Sequence, residues 1–121
     1  MNAVLTKSDH AYGNVCLRSA RDIEYDMFSR ITRMLRLAPR NCDCCETIAA
    51  VGKNNELWSL LATDLADPGN GLPDEIRAGL LALAFFSLRH GRTVLAGAAT
   101  TDVLIDINMT VMKGLRGGEM E

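Results

Sequence analysis

Apolar residues recur along this chain at three- and four-residue spacing, and alternation of period two is nearly absent. That pattern predicts helices rather than strands. Four main helices are expected, with a shorter one before them over about residues 3–12, ended by Gly13-Asn14. The first main helix is expected over 21–38. At about 100° per residue, Ile23, Met27, Phe28, Ile31, Met34, Leu35 and Ala38 share one broad face, with Glu24 misplaced among them. Arg33, Arg36 and Arg40 fall on the opposite side, and Pro39 follows where a helix tolerates termination.

The second helix is expected over 43–67. Ile48, Val51, Asn55, Trp58, Leu61, Ala62 and Leu65 share a face, while Leu57 and Leu60 point elsewhere and need a second partner surface. Gly52 costs about 1 kcal/mol against Ala, so a bend or a close contact is expected there. The run Asp67 to Pro73 (DPGNGLP) is a strong turn signal. A third helix is expected over 73–96, with Asp74 and Glu75 at its positive end. Ile76, Leu80, Leu81, Leu83, Ala84, Phe85, Phe86, Leu88, Val94 and Leu95 leave it almost no purely polar side. A helix apolar all round reads as a buried one, so it is expected at the centre as the most buried of the four, with Gly97 ending it. The fourth helix is expected over 101–115, where Leu104, Ile107, Val111 and Leu115 form a stripe opposite Asp102, Asp106, Met109 and Lys113. Gly114, Gly117 and Gly118 mark a fraying end, and 118–121 reads as a flexible tail. The expected fold is all-α: a compact single-domain helical bundle over 1–121, of four main helices plus a short N-terminal one.

Composition narrows the function. The chain has 121 residues, 48% of them hydrophobic but only 5% aromatic, so aliphatic side chains must build the core. Thirteen basic and fifteen acidic residues give a net charge of -2, without the basic excess of a general nucleic-acid binder. No apolar run approaches the roughly 18 residues that span a bilayer, and the N-terminus lacks a signal-peptide pattern. A cytoplasmic protein with reduced cysteines is expected.

Candidate chemistry is sparse. Cys42, Cys44 and Cys45 form a CDCC run whose spacing does not suit a zinc site, with Cys16 far away. His10 and His90 complete no motif, and no nucleophile elbow, P-loop, zinc-protease or dinucleotide fingerprint occurs. Asp102 and Asp106 sit one turn apart but on a polar face. No catalytic residue, metal or cofactor is expected, and the chain reads as non-enzymatic. Asn55 and Asn108 lie on apolar faces, where a buried amide must find partners or cost about 1–3 kcal/mol. They either fix packing register or line a groove for a partner helix. Trp58, the only tryptophan, suits either a core or an interface.

Four segments, RDIEYDMFSRITRML, NNELWSLLATDLAD, NGLPDEIRAGLLALAFFSLRH and LIDINMTVMKGLRG, occur in the order and spacing of the FlaF family of flagellar biosynthesis regulators, which the chain resembles from about Ala3 to Gly117. The combination of N-x-x-L-W at 54–58, N-x-L-P at 70–73 and I-N-x(5)-G-L at 107–115 is specific; the cysteines lie outside it. The resemblance implies a flagellum-assembly factor that binds flagellin as a cytoplasmic export chaperone. It also implies promotion of flagellin synthesis and secretion together with the translational regulator FlbT. The expected partners are the flagellin monomer and FlbT, with no membrane and no direct nucleic acid. A groove for an amphipathic flagellin helix would be lined by Asn55, Leu57, Trp58, Leu61, Leu81, Phe86 and Asn108. Two alternatives stand beside it. One is a direct RNA-binding regulator using Arg33, Arg36 and Arg40. The other is a redox or metal sensor built on the cysteine run.

Overall fold

The computed structural model describes residues 13–39 and 44–120, with side chains over 25–39 and 44–115. Four helices account for it: α1 (Gly13–Leu37), α2 (Cys45–Ala66), α3 (Asp74–Leu95) and α4 (Asp102–Met120). No strand occurs among the described residues. Consecutive helices pack side by side, and α1 closes the ring against α4, so each helix packs mainly against two others. This is the all-α bundle that the spacing of apolar residues predicts. The expected helix over 3–12 and Arg40 lie outside the described residues.

Two boundaries differ from the sequence reading. Helix α1 already includes Gly13-Asn14, ahead of its expected start at 21. Neither Gly nor Pro occurs between Asn14 and Leu37, so nothing breaks the helix before Pro39. At the other end, α4 continues through Gly114, Gly117 and Gly118 to Met120. Glycine weakens a helix by roughly 0.5–1 kcal/mol without forbidding it.

The turns account for two sequence signals. Asn70 accepts from the Leu72 amide at 3.0 Å and donates its side-chain amide to the Asp64 carbonyl at 3.2 Å, tying off the end of α2. Asp67 accepts from the Gly69 amide at 2.9 Å. Gly97 ends α3 with φ 84°, a conformation that suits glycine. The Gly97 amide donates to the Val94 carbonyl and the Ala98 amide to the Thr93 carbonyl, which is a Schellman cap.

The core has two apolar layers. One joins Phe28, Ile31, Leu57, Trp58, Ala84, Ile107 and Val111; the other joins Leu35, Ala38, Ala50, Val51, Val94 and Leu104. Phe28 meets Trp58 edge-on at 5.4 Å, the favoured aromatic geometry. The most deeply embedded helix is α2, which buries Thr47, Ala50, Val51, Asn54, Leu57, Trp58 and Leu65. The expectation that α3 is the most buried is therefore wrong. It buries only Ala84, Ser87, Gly91 and Val94. These small residues let its backbone lie close to α2, while half-buried Leu80, Leu83 and Leu88 pack against the core.

Candidate partner-binding surfaces

The sequence-derived groove residues divide sharply. Trp58 and Asn108 are fully buried, and Leu57 is 4% exposed. Leu61 and Leu81 are half-buried, and Phe86 is exposed. The first three therefore line no groove. They belong to the interior, and the second partner surface expected for Leu57 is the core itself. Ile48 and Leu60 instead face solvent.

What Trp58 and Asn108 build is a buried polar chain. Trp58 Nε1 donates to Asn108 Oδ1 at 3.0 Å, and Asn108 Nδ2 donates to Asn54 Oδ1 at 2.7 Å. Asn54 Nδ2 then donates to Ser87 Oγ at 3.4 Å. The indole N–H can only donate, so it fixes which way both amides point. Three helices are pinned in register by groups that would be costly to bury alone. Asn54, which the apolar-face argument passed over in favour of Asn55, is the buried amide here. The motif signal was present, since Asn54 and Trp58 are the ends of N-x-x-L-W and Asn108 is the amide of I-N-x(5)-G-L.

Asn55 sits on the flank of α2 against α3. Its Oδ1 is buried without a hydrogen-bond partner, and a Cβ placed on Gly91 would come within 2.5 Å of it. The close contact expected at Gly52 is thus at Gly91. Gly52 faces open space in a shallow concavity of about 450 Å³ lined also by Asn55, Glu56, Ser59 and Leu60.

Among the described residues, α3 carries more exposed large apolar side chains than any other helix: Ile76, Phe85, Phe86 and Leu95. Phe85 is 58% and Phe86 40% exposed, beside exposed Ala78 and Ala82 and half-buried Leu81. The Arg89 guanidinium lies 5.9 Å from the Phe86 ring centroid, within cation–π range. His90 lies 5.9 Å from the same ring, and its Nε2 is buried without a partner. The helix is apolar on two sides: Leu80, Leu83 and Leu88 pack against the core, while Phe85 and Phe86 are exposed.

A second, mixed stripe runs along α1. Arg30, Arg33, Met34 and Leu37 follow one another at helical spacing, and all are exposed, Leu37 by 74%. Arg36 is exposed nearby and reaches Met109 Sδ at 3.9 Å. Cys44 caps α2 and Cys45 opens it; both are free thiols. Among the described residues, no group of three or more His, Cys, Asp or Glu could hold a metal ion, and no helix is long and apolar enough to cross a membrane. Asp102 and Asp106 are both exposed.

No curated protein and no solved structure matches this chain. A protein-family model does: that of the flagellar protein FlaF matches residues 8–115, a span that includes the polar chain, the asparagine turn and the aromatic face of α3. The chain belongs to the FlaF family of flagellar proteins.

Proposed function

We propose that this protein is a cytoplasmic, non-enzymatic chaperone that holds flagellin monomers before export. In this reading it promotes flagellin synthesis and secretion together with FlbT. The observation that carries the proposal is the pair of exposed aromatic residues on α3. Exposed aromatic residues are enriched at protein–protein surfaces, and Phe85 and Phe86 are both exposed on α3. An amphipathic terminal helix of flagellin is a suitable occupant, because such a helix can lay its apolar stripe across the α3 face. The stripe on α1 supports protein recognition over RNA recognition. Phosphate contacts would use Arg30 and Arg33 but have no use for exposed Met34 and Leu37, and this second face leaves room for FlbT.

The test is calorimetric titration of monomeric flagellin into the protein and into a Phe85→Asp, Phe86→Asp variant. Loss of binding with an unchanged circular dichroism spectrum is expected. Undiminished binding by the variant sinks the assignment of the site.

A further inference from the structure

We propose that the outer face of α3 is a self-association surface, on which a second copy of this chain docks antiparallel across a two-fold axis. The inference concerns the chain alone and holds or fails without flagellin.

The face has the register of a coiled-coil seam. Glu75, Ala78, Ala82, Phe85, Arg89 and Arg92 follow at alternating spacings of three and four, and all six are exposed. That is the repeat by which one helix packs along another. Along about 26 Å of helix, the stripe passes from acid through small residues to an aromatic and then to base. Such a gradient is complementary to its own reverse. When two copies run antiparallel with Ala82 facing Phe85, every other position falls into place. Glu75 meets Arg92 of the second copy, and Ala78 lies under Arg89.

Three features therefore agree in a single register. Charge is paired at both ends, the bulky ring meets the smallest side chain, and the symmetry is the isologous one in which each contact occurs twice. A parallel pairing would set Glu75 on Glu75 and the arginines on one another, so it is disfavoured. Asp74 is already paired with Arg77 at 3.4 Å on its own helix, which leaves Glu75 as the acid of the seam. The helix packs closely on its own bundle through Ala84, Ser87 and Gly91 and still presents the Phe85 ring outward to the second copy. Where flagellin uses the same face, it must displace that copy.

Sedimentation equilibrium of the full chain tests this. A concentration-dependent dimer is expected. Phe85→Asp should raise its dissociation constant at least about 30-fold, as for loss of a hot spot, with helicity unchanged because the ring is exposed. Glu75→Arg and Arg92→Glu should each weaken the dimer, and the double variant should restore it. A chain that stays monomeric at every concentration overturns the proposal. So does a dimer indifferent to Phe85→Asp. A double variant as weak as the singles overturns the antiparallel register. A monomer in which Phe85→Asp abolishes only flagellin binding gives the face to the client alone.

Discussion

Trp58 does two jobs that its sequence position does not separate. Its ring fills the layer with Phe28, and its N–H starts the chain through Asn108 and Asn54 to Ser87. Asn108→Ala would orphan the Trp58 donor and the Asn54 acceptor. The expected cost is about 1–3 kcal/mol for each group left unpaired, read as a lower midpoint in urea. Asn55→Ala, one residue along, should be neutral or favourable. It deletes an acceptor that already lacks a partner and introduces the best helix former. Wheel angles placed Asn55 rather than Asn54 among the apolar residues because they locate a residue relative to its own helix only. Which flank meets α4 and which meets α3 depends on packing that no single-helix pattern contains. For the same reason Trp58→Ala is a poor probe of partner binding. It would remove a fully buried ring and destabilise the fold by about 3–5 kcal/mol.

At the scale of elements, the four helices were legible because each carries an apolar stripe and three are separated by turn or cap residues. Asn70 and Gly97 are where the turn signals placed them, and the structure shows the bonds that make them work. The role of α3 was not legible. Its near-continuous apolar surface reads as burial, yet a helix apolar all round can also be one that packs on its own bundle and on something else. Here Ala84, Ser87, Gly91 and Val94 are buried and Leu80, Leu83 and Leu88 pack on the core, yet Phe85 and Phe86 stay exposed. The α2–α3 approach can be tested directly. Gly91→Ala drives its new Cβ against Asn55 Oδ1, so it should be better tolerated in an Asn55→Ala background, by about 1 kcal/mol or more in a double-mutant cycle. Additive effects would show that the two side chains do not meet. Gly52→Ala serves as the contrast. Nothing lies within 4 Å of its Cβ position, so the substitution should stabilise the fold by about 0.5–1 kcal/mol.

For the whole molecule, the functional reading makes a claim about which form of flagellin is bound. A chaperone that covers an apolar stripe of flagellin competes with filament assembly for that stripe, so it should bind the monomer and ignore the assembled filament. The surface offered is aromatic and aliphatic on α3, and net charge is only -2, so association should be driven mainly by apolar burial. Calorimetry should then show a negative heat-capacity change, and binding should survive moderate salt. An RNA complex held by Arg33, Arg36 and Arg40 would behave otherwise, because each phosphate contact releases counterions and affinity falls steeply as salt rises. Phe85→Ala is the informative truncation. The ring is more than half exposed, so its removal should leave unfolding unchanged while weakening flagellin binding by about 2 kcal/mol or more if it is a hot spot. The decisive comparison is monomeric flagellin against flagellin mRNA at two salt concentrations. A tight, salt-sensitive complex with the mRNA and no heat of binding to the monomer would sink the chaperone reading and move the function to the arginines of α1.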